Sequence, residues 1–109
     1  MRLNSTQKSI IMSHTSTLLQ ARQFPKTICP SEIARSFSAS ELRLLNAATW
    51  RDTMDDIQDV LWDMWKRGQV EVLQKGAVLG PPSELRWEDI RGPIRVRKSH
   101  DGNSEVDDG

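Results

Sequence analysis

Apolar residues recur along Thr49–Arg67 at steps of four, three, four, three and one: Trp50, Met54, Ile57, Leu61, Met64 and Trp65. That spacing is one face of an α-helix. The other face is mostly charged, with Arg51, Asp52, Asp55, Asp56, Asp59, Asp63 and Lys66. Thr49 followed three residues later by Asp52 is a capping-box start. Lys66-Arg67-Gly68 is a stop: cations sit near the negative helix end, then comes a glycine able to take the left-handed C′ conformation. The period then changes to two, with Val70 and Val72 alternating against Glu71 and Leu73, which reads as a strand. A helix that ends in glycine and runs at once into a β-hairpin suggests a winged helix-turn-helix.

The rest of the pattern supplies the other elements. Asn4-Ser5-Thr6 offers N-cap side chains, and a first helix is predicted from about Thr6 to Arg22, with Ile10, Ile11, His14, Leu18 and Ala21 on a shared face. Cys29-Pro30-Ser31-Glu32 opens a second helix, with Pro30 suited to N1 and Glu32 to N3, and Ile33, Ala34 and Phe37 give it a buried side. Ser38-Ala39-Ser40-Glu41 is a further capping box, so a helical turn or two fills Ala39–Asn46 before the long helix. Gln69–Gln74 is a strand, Lys75-Gly76 a turn and Ala77-Val78-Leu79 a short return, broken by Gly80-Pro81-Pro82. Trp87 is expected to fold back onto the core. A final strand follows Pro93, with Ile94 and Val96 inward and Arg95 and Arg97 outward. The expected fold is α+β: three or four helices, then a small antiparallel hairpin or sheet as the wing, over residues 1–98. Residues 99–109 carry four acids and a single apolar residue, Val106. They have too little to bury to offset their ordering entropy, so a disordered acidic tail is expected.

Charge refines the picture. Lys and Arg number 15, as do Asp and Glu, so the formal net charge is zero. The distribution is uneven. Five Asp face three cations in Thr49–Arg67, whereas five cations face Glu88 and Asp89 in Arg86–Lys98. Zero net charge therefore hides a bipolar surface. One cysteine, Cys29, excludes an intramolecular disulfide and any multi-cysteine zinc site. With only His14 and His100 besides, no metal or other cofactor is expected. No apolar run approaches the ~20 residues of a membrane span, and no membrane partner is expected. Met1–Ser31 has no acidic residue and is rich in Ser and Thr, a composition shared with mitochondrial transit peptides. The reading preferred is the first helix of an intracellular domain, in cytoplasm or nucleus.

Three islands carry a resemblance. They are Thr27-Ile28-Cys29-Pro30-Ser31-Glu32-Ile33-Ala34-Arg35, then Gly68-Gln69-Val70-Glu71-Val72 with Gln74-Lys75-Gly76, then Arg91-Gly92-Pro93-Ile94-Arg95. In this order and spacing, with Trp50-Arg51 opening the long helix, the chain resembles the domain of unknown function 3253 family from about His14 to Arg97. The resemblance implies a winged-helix fold and no established activity. The chain departs from the family pattern in its longer Ser38–Thr49 segment, its aspartate-rich helix and its acidic tail.

Three function classes can be weighed on the residues. For an enzyme, a thiol at a helix start can be activated, but Cys29 has only His14 as a prospective base, and no phosphate loop, nucleophile elbow or metal signature is present. No catalytic residue is assigned. For DNA or RNA, the long helix presents five carboxylates where phosphates would lie, which opposes docking. The basic wing edge, Lys75, Arg91, Arg95, Arg97 and Lys98, is then the expected contact, and nucleic-acid binding there is the leading expectation by analogy with the fold's commonest use. The alternative is a protein-interaction module using the long helix, with Trp62, Asp55 and Asp59 as contact residues.

Overall fold

The computed structural model describes residues 3–99, apart from the side chain of Trp87. Its elements are α1 (Ser5–Ala21), α2 (Pro30–Ala34), α3 (Ala39–Leu44), α4 (Met54–Lys66), β1 (Val70–Gln74), β2 (Ala77–Val78) and β3 (Arg95–Lys98). Among the described residues, four α-helices and a three-stranded antiparallel sheet of order β2-β1-β3 make a winged-helix-like α+β fold.

Local chemistry sets the helix starts. Asn4 caps α1: its side chain accepts the Gln7 N–H at 2.8 Å, and the Gln7 side chain accepts the Asn4 N–H at 3.1 Å. Glu32 accepts the Cys29 N–H at 2.8 Å behind Pro30. Ser38 and Glu41 exchange bonds of 3.1 Å and 2.8 Å at the start of α3. These orphan amide donors would otherwise be unsatisfied. Asp52 accepts from both Ala48 and Thr49 N–H at 3.0 Å, but the turn that follows, Trp50–Thr53, is 3-10 rather than α. The tighter winding rotates Trp50 partly out of the helical stripe. Trp50 is half-buried as a result, while Val60, absent from the spacing read along the sequence, is buried with Ile57, Leu61, Met64 and Trp65.

The buried line of α1 is Gln7, Ile11, Thr15 and Leu19. It is rotated from the expected face: Ile10, His14 and Leu18 are half-buried and Ala21 is exposed. Two polar residues are admitted because their groups are satisfied. Gln7 donates to the Leu44 carbonyl at 2.9 Å and Thr15 to the Ile11 carbonyl at 2.8 Å, so their burial leaves no orphan polar atom.

The sheet closes the core. β1 pairs with β3 from Val70–Lys98 to Leu73–Arg95. β1 and β2 are joined by Lys75-Gly76, with φ of 53° and 83°, the two positive values of a type I′ hairpin turn. On the other side of β3, Ile28 exchanges backbone bonds of 2.7 Å and 2.8 Å with Val96. This single-residue bridge ties the α1–α2 connection to the sheet. Ile28, Val70, Val72 and Val96 then meet Ile11, Ile33, Ile57 and Leu61 in one core. Between β2 and β3 the chain makes two 3-10 turns, Pro82–Glu84 and Trp87–Asp89, and Leu79, Leu85 and Ile90 pack against that core. Ser99 is buried, and its N–H donates to the Gln69 carbonyl at 3.2 Å. The disorder expected of the tail falls, from residue 100 on, outside the described residues, as does the expected packing of the Trp87 ring.

Candidate interaction surfaces

The final strand exposes its arginines as the alternation requires, but both have partners. Arg95 reaches across the Ile28 bridge: its guanidinium donates to the Thr27 side chain and carbonyl and lies 3.8 Å from Glu32. Arg97 binds Glu71 on the adjacent strand at 2.6 Å and covers the Phe24 ring, its carbon 4.6 Å from the centroid. Its side chain is 17% exposed, against 52% for Arg95. Glu71 and Arg97 are register partners, where an opposite-charge pair supports the sheet. Glu32 also holds Arg22 at 2.6 Å, and the Arg22 hydrogen bond, then the Cys29 N–H, keeps its carboxyl below the usual glutamate range.

Lys75 and Arg91 are exposed, and no ion pair among the described residues engages them. The Gln74 side-chain amide donates to the Arg91 carbonyl, which brings the backbone at Arg91 beside the strand end that leads into Lys75 at the hairpin tip. Lys98 is elsewhere, at a recess of about 240 Å³ lined by Met12, Leu19, Met64 and Gln69. The five basic residues expected to act as one edge thus form a free pair, an occupied pair and an outlying lysine.

On α4, Asp55 is exposed and Asp59 half-buried, and neither has an ion-pair partner among the described residues. Asp63 pairs with Arg67 at 3.2 Å. Lys66, at the end of the same helix, is exposed and carries no ion pair among the described residues. Asp55, Asp59, Trp62 and Lys66 stand at i, i+4, i+7 and i+11, one stripe along the helix. Trp62 is half-buried, edge-on to Trp65 with centroids 5.4 Å apart. It is a fixed aromatic at the rim of the core rather than a projecting anchor.

Two arrangements had no warning in the spacing. Trp50 lies between guanidiniums from different elements, Arg35 at 4.7 Å and Arg51 at 4.5 Å from its ring centroid. His14 of α1 joins the α2–α3 connection: Nδ1 is 2.8 Å from the Ser36 hydroxyl and Nε2 2.9 Å from the Glu41 carboxylate. The Ser38 N–H, then the His14 bond, holds the Glu41 carboxyl below its ordinary range. Ser36 donates its hydroxyl hydrogen to the Ile33 carbonyl at 2.6 Å, away from the imidazole. Cys29 takes a hydrogen bond from Ser31 at 3.2 Å, and its prospective base is the histidine already engaged with Ser36 and Glu41. Among the described residues no group of three His, Cys, Asp or Glu comes together as metal ligands, and no helix is long and apolar enough to cross a membrane.

The sequence model of the family described as "Protein of unknown function (DUF3253)" matches residues 8–99, from the first turn of α1 to the residue after β3. The chain belongs to the DUF3253 family. No curated protein matches it. The DUF3253 match covers α1 from its fourth residue, the other helices, the sheet and the Ile28 bridge. It leaves out residues 1–7 and 100–109.

Proposed function

We propose that this protein is a non-enzymatic interaction module that meets a protein partner through the outward stripe of α4 that runs from Asp55 to Lys66. One contrast supports the reading. The strand arginines that would attract a polyanion are engaged by Glu32 and Glu71, while the exposed Asp55 and half-buried Asp59 have no ion-pair partner among the described residues. A charged group with no internal partner is available to an external one, and complementary charge steers association and selects partners. Carboxylates on the helix that would enter a groove oppose nucleic acid. A second reading, DNA or RNA contacted at the hairpin tip, is favoured by the adjacency of Lys75 and Arg91 alone.

The test uses two variants in parallel. Asp55→Asn with Asp59→Asn removes the α4 charges, and Lys75→Glu with Arg91→Glu inverts the tip. Proximity labelling in the native host, compared with wild type, is expected to lose its specific protein neighbours in the first variant and keep them in the second. Labelled random DNA and RNA are expected to bind negligibly at ~150 mM salt, where exposed charges are screened beyond about 8 Å. Retained neighbours in the α4 variant would overturn the proposal, and nucleic-acid binding at ~150 mM that the tip variant abolishes would favour the second reading.

A further inference from the structure

The stripe on α4 carries its charges in an order that matters. Asp55 and Asp59 occupy its first half, Trp62 follows, and Lys66 ends it. Asp55 and Lys66 are eleven residues apart, about 16 Å along the axis. Turning the same stripe end for end places Lys66 opposite Asp55, Asp55 opposite Lys66, and each Trp62 opposite an Asp59. Two such helices running in parallel instead place every charge against its own kind. The ends of the stripe are therefore complementary in the antiparallel direction only, while each Asp59 meets an indole rather than a cation.

We infer that the partner of this face is a second copy of the chain, docked α4 against α4 about a two-fold axis that passes between Asp59 and Trp62. This rests on the reading of α4 as the contact face and names its occupant. The contact is isologous, so each favourable pair occurs twice. Antiparallel packing also sets opposite ends of the two helix dipoles side by side. The two indoles lie near the axis, where an interface is best shielded from water, and the two Asp59 carboxylates lie there as well with no cation opposite them, which lowers the affinity. A single helix face three turns long falls below the roughly 1,200 Å² of a standard interface, so the dimer is weak and forms at high protein concentration.

The experiment is sedimentation equilibrium of the full chain up to about 0.5 mM, a range suited to an interface of that size. Wild type is expected to show a reversible monomer–dimer equilibrium that weakens with salt. Asp55→Lys places lysine against lysine, and Lys66→Asp places aspartate against aspartate. Each variant alone is expected to dimerise at least tenfold more weakly, on the order expected when two attractive pairs become repulsive. Mixed in equal amounts they restore both pairs, and a heterodimer about as tight as wild type is expected. Both positions are exposed, and the mixture itself shows that each variant is folded. The inference is overturned by a wild type that stays monomeric, by single variants that dimerise as wild type does, or by a mixture that stays monomeric. A monomeric wild type whose α4 variant still loses its labelled neighbours would overturn the second copy as partner while leaving the α4 face in place. Neighbours unaffected by the α4 variant would remove the face itself.

Discussion

Trp50 is where the helical spacing and the folded structure assign different energies. Spacing alone puts it in the core, where Trp→Ala costs about 3–5 kcal/mol. In the structure it is half-buried between Arg35 and Arg51. Half of a full burial is worth about 2 kcal/mol on the same scale. Two cation–π contacts at partly exposed sites add about 0.5 kcal/mol each. Trp50→Ala is therefore expected to cost about 3 kcal/mol in wild type, and about 2 kcal/mol once Arg35 and Arg51 are both alanine. The difference, near 1 kcal/mol, is the coupling of the indole to the two guanidiniums. Urea unfolding of the four corners of this cycle measures it, because a change of 3 kcal/mol moves the midpoint by about 1.5 M at a slope of ~2 kcal/mol/M. Leu61→Ala, at a fully buried position in α4, serves as the core reference at about 2–5 kcal/mol. A coupling below about 0.3 kcal/mol, the scatter of independent sites, would refute the reasoning. It would mean the arginines lie over the ring without stabilising it.

Acid should destabilise the fold through Glu32 and Glu41, whose carboxyls are held low by Arg22 and Cys29 and by Ser38 and His14. A group with a depressed native pKa binds protons less readily folded than unfolded, so its contribution is complete above the ordinary glutamate value of about 4.3 and is lost as pH falls through the native value. Glu32→Gln is expected to flatten that part of the melting temperature against pH curve, and an unchanged acid limb would sink the assignment. Gly76→Ala tests the hairpin. At φ of 83° a Cβ is strained although nothing lies within 4 Å of it, so a loss on the order of 1 kcal/mol is expected from backbone conformation alone, and a melting temperature unmoved or raised would show that the turn is not type I′.

The α+β class, the order of helices and strands, the three capping sites at Glu32, Glu41 and Asp52 and the hairpin at Lys75-Gly76 were all legible along the chain. Each is fixed by residues within four positions of one another: a carboxylate reaching back to the amides before a helix, or two residues at positive φ. Local geometry of that kind depends on sequence neighbours and survives without knowledge of the fold. The opposed charge of the long helix and the last strand was legible for the same reason.

What tertiary structure alone decided was which charges remain available. Arg95 meets Thr27 and Glu32 across 68 and 63 positions of sequence, Arg97 meets Glu71 across 26, and Trp50 is flanked by an arginine from another element. A strand pattern says that a side chain points outward; only the neighbouring strand and the Ile28 bridge say what it finds there. The same holds for α1, whose buried line includes Gln7 because Leu44 of α3 supplies a carbonyl for it, while Thr15 bonds the Ile11 carbonyl within the helix. Amphipathic spacing fixes an element and roughly its inner face, since burial of apolar area is non-directional. Hydrogen bonds and ion pairs are directional and short-ranged, so which cations are neutralised is settled only when distant elements come together.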